Sequence, residues 1–234
     1  MINSQNDKDQ ASLTINSHVI ESTADISLLG VNINEHLVFR KHISELCIKA
    51  SQRVGVLSRL RNLIPMEAKL LLYKSSILPY LTYCHLKWHF CKASDARKVE
   101  RVQERALRIV YNTHSVEYSN LLNRANLPSL QNRRLQDLAT LMDKVKYGLV
   151  PSNVVDIFSV KSSKHHLRDM DFHLPRLNSV RYGKHSIRYF GPYIRSRLDG
   201  KIKDKPTLQS FRSSIRRINL VDVISESCGS CLST

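Results

Sequence analysis

The sequence predicts a mainly α-helical protein that opens with a short β-hairpin. Three observations carry this reading. Apolar and polar residues alternate only before about residue 34, and apolar residues recur at spacings of three and four from about residue 43 onward. Pro65, Pro79, Gly148 and Pro151 then fall at the ends of the helical runs. With no internal repeat, the chain divides into a polar leader and hairpin (1–34), a helical bundle (35–112), and a helical extension with a loop and a frayed tail (113–234).

SLTINSHVIE alternates at Leu13, Ile15, Val19 and Ile20, and DISLLGVNI follows. Asn16, Ser17 and His18 supply a turn, so a hairpin or strand pair is expected. Gly30 suggests a bulge or the close approach of another backbone. Ile43, Leu46, Cys47, Ala50, Val54, Leu57, Leu60 and Ile64 form the stripe of an amphipathic helix. Pro65 is placed to start a second helix, MEAKLLLYKSSIL, which Pro79 ends or kinks. Ser94 is a good N-cap for a third, with Val99, Val102, Ala106 and Ile109 as its buried seam. YSNLLNRANLP and LQNRRLQDLATLMDKVKYGLVP read as two more helices, the latter closed by Gly148. SVKSSKHHLRDMDFHLPRLNSV reads as a loop, and PTLQSFRSSIRRI as a last basic helix.

A chain of 234 residues that is 42% apolar has enough material for a core, which excludes wholesale disorder. Its charge is unusual: 36 Lys and Arg against 20 Asp and Glu give a net +16. Such a surface attracts polyanions, and nucleic acid is the leading partner because every neutralised phosphate releases counterions. No apolar run reaches the roughly 18 residues of a membrane span. MINSQNDKDQ lacks the apolar stretch of a signal peptide. The expectation is an intracellular protein, nuclear or cytoplasmic, with no membrane partner and five reduced cysteines.

Arg97, Arg101, Arg105 and Arg108 are spaced by four, four and three, which puts them on one narrow helix face opposite the apolar seam. Guanidinium forks match phosphate oxygens, so the row could track a phosphate backbone; a solvated face held by Glu104–Arg108 pairing is the plainer alternative. Lys41, Lys49, Arg53 and Arg59 lie off the stripe of the first helix and add basic positions.

YCHLKWHFC, Tyr83–Cys91, gathers two cysteines and two histidines around the single tryptophan. A helix there would pair Cys84 with Trp88 and His85 with His89, four residues apart. Zinc needs four ligands, however, and Leu86, Trp88 and Phe90 favour burial, so the stretch reads as core. Cys228 and Cys231 have half-site spacing without a second pair, and Asp169 and Asp171 read as surface charges. No catalytic grouping, metal site or cofactor emerges from the residues alone.

Leu29-Gly30-Val31, Leu37, Phe39, His42, Ile43, Tyr73, Pro79, Tyr83-Cys84 and Trp88 occur in that order, followed by Gln103, Arg108, the Gly148–Pro151 segment and RYFGPYI…PTLQSFRSSI. In sequence and spacing, from about Leu13 to Leu220, the chain resembles the end of a reverse transcriptase of non-LTR, LINE-like retrotransposons of the jockey or chicken-repeat-1 type. The resemblance implies that Leu29, Gly30 and Val31 belong to the hairpin closing the palm, a primer-grip-like turn. The helices of 35–112 would be the thumb that cradles template and primer. It implies RNA, DNA or an RNA–DNA hybrid as partner, and the basic helix faces read above supply the expected contacts: Lys49, Arg53, Arg59, Arg97, Arg101, Arg105 and Arg108.

The family's polymerase site needs paired palm aspartates that hold two magnesium ions, and no Asp-Asp occurs in this chain. Fingers and most of the palm would precede Met1, and magnesium would belong to that absent part. The resemblance therefore implies a truncated RNA-directed DNA polymerase fragment that is not an enzyme by itself. Other readings stay open: a polymerase completed by a second chain, a zinc-dependent or protein-interaction helical module, and a pseudogene product without selected function.

Overall fold

The computed structural model describes residues 13–16, 18–20, 23–158, 172–176 and 183–225. It is mainly helical behind an N-terminal β portion, as the sequence predicts. Where one hairpin is expected there are two: β1 (Leu13–Ile15) pairs with β2 (His18–Ile20), and β3 (Asp25–Leu28) with β4 (Val31–Asn34), each pair antiparallel in its own two-stranded sheet. His18 is a strand residue, so the first turn is tighter than the sequence suggests; Asn16 takes it with φ +48°.

Gly30 sits at a hairpin tip, not in a bulge. Leu28 pairs with Val31, and both intervening residues have positive φ (Leu29 +49°, Gly30 +77°), as a type I′ turn demands. An added Cβ at Gly30 would meet nothing within 4 Å, so backbone twist, not a close neighbour, calls for glycine here.

The second hairpin is tied down at four points. Val31 is buried, Asn32 Nδ2 donates to Glu45 Oε2 at 2.7 Å, Lys41 Nζ meets Asp25 Oδ2 at 3.3 Å, and the Tyr83 hydroxyl donates to Leu29 O at 2.7 Å.

α1 (Arg40–Arg59) buries Ile43, Leu46, Ala50, Val54 and Leu57, the predicted stripe, together with His42. Pro65 caps α2 (Met66–Leu72) from outside instead of starting it. Pro79 neither ends nor breaks the run: a π-helical turn (Tyr73–Ile77) leads into α3 (Leu78–Thr82), with Pro79 as the second residue of α3. The wide turn accommodates a residue that has no N–H to give, while Ser76 Oγ returns a bond to Leu72 O at 2.6 Å.

In α4 (Ala93–Val110), Lys92 is the N-cap and Ser94 lies inside the helix without a capping bond. Its seam is Val99, Val102, Ala106, Leu107 and Val110, with Ile109 only half-buried. Then come α5 (Tyr118–Ala125), α6 (Leu130–Lys146), α7 (Ser152–Val155), α8 (Ile187–Arg197), α9 (Gly200–Lys203), α10 (Leu208–Ile215) and α11 (Leu220–Ser225). Ser129, Ser186 and Thr207 cap α6, α8 and α10 through their side chains.

α6 connects the cores. Its Leu130 closes a cluster with α1, α3, Trp88, α4 and α5. Leu135, Leu138 and Ala139 pack with Phe190, Ile194, Phe211 and Ile215. Met142 and Val145 meet Phe158 and Phe172. Each of the larger of these side chains removed from water contributes about 1.5–3 kcal/mol. Polar groups of α6 fix the rest: Asn132 Oδ1 accepts from Leu220 N at 2.8 Å, Gln136 Nε2 donates to Ile218 O at 3.0 Å, and Asp143 pairs with Arg195 at 3.0 Å.

Candidate nucleic-acid interface

The basic residues are positioned by how α1 and α4 lie together. Asp95, in the first turn of α4 and buried, receives Lys98 Nζ at 2.7 Å and lies 3.9 Å from Arg40 Nε at the start of α1. At the other end, Arg61 Nε donates to Asn112 Oδ1 at 2.7 Å. Start meets start and end meets end, so the two helices run parallel, side by side.

At about 100° per residue, the seam of α4 leaves Arg97, Arg101 and Arg105 on its opposite side. All three are exposed, and none has an ion-pair partner among the described residues. Arg108, the fourth of the row, is spent: its Nη2 meets Glu104 Oε1 at 2.7 Å, and its Nη1 donates to His114 O at 2.6 Å. The row is therefore three open guanidiniums and one structural one.

On α1, Lys41, Lys49 and Arg59 are exposed. Arg53 is exposed too, but lies flat on α3, 4.2 Å from the centroid of Tyr80, with Nη2 donating to the Tyr80 hydroxyl at 2.7 Å. Helical phase sets Arg59 on the same outward side as the α4 row, and Lys49 and Arg53 on the far shoulder of α1, beside α3. The seven expected contacts thus do not form one patch. The Leu29–Val31 turn is a hairpin tip: Leu29 is 81% exposed at its end while Val31 is 5% exposed at its base.

Tyr83–Cys91 is a series of turns and not a helix, with Cys84 at φ +48°, so the four-residue pairings do not arise. Trp88 is fully buried, and its Nε1 donates to Tyr83 O at 3.2 Å. His85 Nε2 lies 3.0 Å from Asp137 Oδ2. His89 stacks on Phe190, its Nδ1 sealed from solvent and unbonded among the described residues, and burial pulls its pKa down to about 3, with Arg134, His85 and His185 adding to the effect. Burial raises the Cys91 thiol, and the Cys47 thiol to about 11, so neither is a thiolate at neutral pH. Among the described residues no three His, Cys, Asp or Glu side chains are grouped to hold a metal ion. Cys228, Cys231, Asp169 and Asp171 lie outside the described residues.

Besides Arg195, two more cations among the described residues are buried without having been anticipated. Arg134 packs its guanidinium over Trp88, 5.2 Å from the ring centroid, with Nε and Nη1 lacking hydrogen-bond partners among the described residues. Lys69 is 3% exposed. Local sequence marks neither one: each falls on the buried side of its helix.

No described helix is long and apolar enough to cross a membrane. Comparison with protein-family models, with curated proteins and with solved structures yields no match.

Proposed function

We propose that this chain binds nucleic-acid duplex, irrespective of base sequence, along the outward face of α1 and α4. In this reading it is the thumb-like part of a non-LTR retrotransposon reverse transcriptase, a stretch without the paired aspartates of the polymerase site, and works inside the cell on RNA, DNA or an RNA–DNA hybrid. The observation that carries the reading is the set of Arg97, Arg101 and Arg105: three exposed guanidiniums one helical turn apart, without carboxylate partners among the described residues, on a protein of net charge +16. Each step of four residues advances about 6 Å, so the row follows a line and not a point, as a polymer of phosphates requires. Arg59 on the neighbouring helix widens the line into a strip. Base readout is not part of the proposal, since guanidinium contacts to phosphate carry position and no sequence information.

The test is affinity for a duplex across a salt series, with circular dichroism confirming the fold. On double-stranded DNA the log–log slope is expected near −0.9 for each phosphate neutralised. Replacing Arg97, Arg101 and Arg105 together by Gln should reduce that slope by about 2.7, on the same counterion arithmetic. A slope that stays unchanged in the folded triple variant would sink the proposal.

A further inference from the structure

We infer that the cleft between the α1–α2 elbow and the end of α4 is a binding site for a phosphate group, with Lys69 as its floor. The cleft measures about 390 Å³ and is bordered by Arg61, Asn62, Met66, Tyr111 and Asn112. It stands apart from Arg97, Arg101 and Arg105 and does not depend on the duplex-binding proposal.

Lys69 is the anomaly that points to a ligand. It is 97% removed from solvent, yet its Nζ meets a single acceptor among the described residues, Arg61 O at 3.1 Å. Taking an ammonium out of water costs several kcal/mol unless its donors are matched, and one carbonyl matches one of three. Part of the explanation is structural: the carbonyl it meets follows the end of α1, where a cation is favourable. That accounts for one hydrogen bond and leaves two.

The surroundings supply donors and no acid. Asn112 Oδ1 is occupied by Arg61 Nε at 2.7 Å, which leaves the Asn112 amide hydrogens unspent. The Arg61 guanidinium keeps its Nη groups, and Asn62 is exposed at the rim. Among the described residues no Asp or Glu borders the cleft. The ends of α1 and α4 bring about half a negative charge each, against two full positive charges from Lys69 and Arg61. The balance is positive, and the lining offers several charged and amide donors to a tetrahedral oxyanion.

Inorganic phosphate is the probe, titrated calorimetrically at constant ionic strength made up with chloride. Saturable one-to-one binding is expected, and Lys69→Met should weaken it at least tenfold, the loss of a charge-assisted hydrogen bond of about 1.5 kcal/mol or more. Asn112→Asp, at a surface position with left-handed backbone that Asp tolerates, should abolish binding by placing a carboxylate in the cleft while leaving the fold intact. A second arm separates the sources of the group. If a 5′-phosphorylated oligonucleotide outbinds its 5′-hydroxyl twin, and Asn112→Asp removes the difference, the site takes strand ends. If the twins bind alike while inorganic phosphate saturates, the site takes free phosphate. Phosphate binding that is non-saturable, or equal in the wild type and in both folded variants, overturns the inference.

Discussion

At the scale of single residues, burial decides most of what the sequence left open. Polar side chains that composition would place outside stand in the core because neighbours complete their hydrogen bonds. Gln103, 1% exposed, accepts from the Tyr73 hydroxyl at 2.6 Å and donates to the Tyr118 hydroxyl at 2.9 Å. Tyr118 in turn donates to Glu100 at 2.7 Å, and burial with that carboxylate pushes the phenol's pKa far up. His89 shows the opposite case, a titratable group whose Nδ1 is buried without a hydrogen-bond partner among the described residues. Its folded pKa of about 3 lies below the unfolded value near 6.5, so the unfolded chain binds the extra proton. Stability should therefore fall as pH drops from about 6.5 toward 3, by up to about 1.4 kcal/mol per pH unit from this group alone. Urea unfolding at a series of pH values should show a shallower decline in His89→Phe than in the wild type. Equal slopes would mean that His89 protonates freely in the folded protein.

Among secondary-structure elements, the apolar period made α1, α4 and α6 legible, since packing follows position on the wheel. Their ends were less so. Ser94 has the chemistry of a cap, but the chain turns helical two residues earlier, and local preference yields to where Trp88 and Asp95 must be buried. The short α7, α9 and α11 have too few residues to show a period. Tyr83–Cys91 fails for another reason: its side chains fit a helix, and its backbone follows the burial of Trp88. Gly148 was readable because a C-cap is a local device. It sits at φ +63°, with its N–H bonded to Val145 O at 3.2 Å and Leu149 N bonded to Lys144 O at 2.8 Å. A Cβ there has free space, so Gly148→Ala should cost only the backbone term, about 1 kcal/mol. That corresponds to about 2–4 °C in melting temperature for a protein of this size. An unchanged midpoint would show that the α6 terminus is frayed in solution.

For the molecule as a whole, the sequence divides the chain near residue 112, whereas the structure carries one helix through all three apolar clusters. Leu130 of α6 belongs to the first, Leu135 to the second and Met142 to the third. Cutting the contacts of α6 on one side exposes apolar surface on the other, so the clusters should melt together. Trp88, the single tryptophan, reports on the first cluster, while far-ultraviolet circular dichroism reports on all helices. Coincident thermal transitions by the two probes are expected, and a separate early loss of fluorescence would mean that the clusters unfold independently. The basic surface was legible in part: periodicity found Arg97, Arg101 and Arg105, but only tertiary packing could show that Arg108 is consumed, that Arg53 lies on Tyr80, and that Lys69 is inside.

The π-helical turn at Tyr73–Ile77 bears on how the length of this chain can vary. An α-helix that gains or loses one residue rotates everything beyond it by about 100°, which in a packed bundle turns apolar side chains into solvent. A π turn already holds one surplus residue, absorbed locally, so Leu70 before it and Leu81 after it both face the same core. This turn is accordingly the place in the 66–82 rod where a one-residue deletion leaves both flanking faces in phase. What such a deletion removes is the room made for Pro79, so loss of the surplus residue and replacement of that proline belong together as a single change.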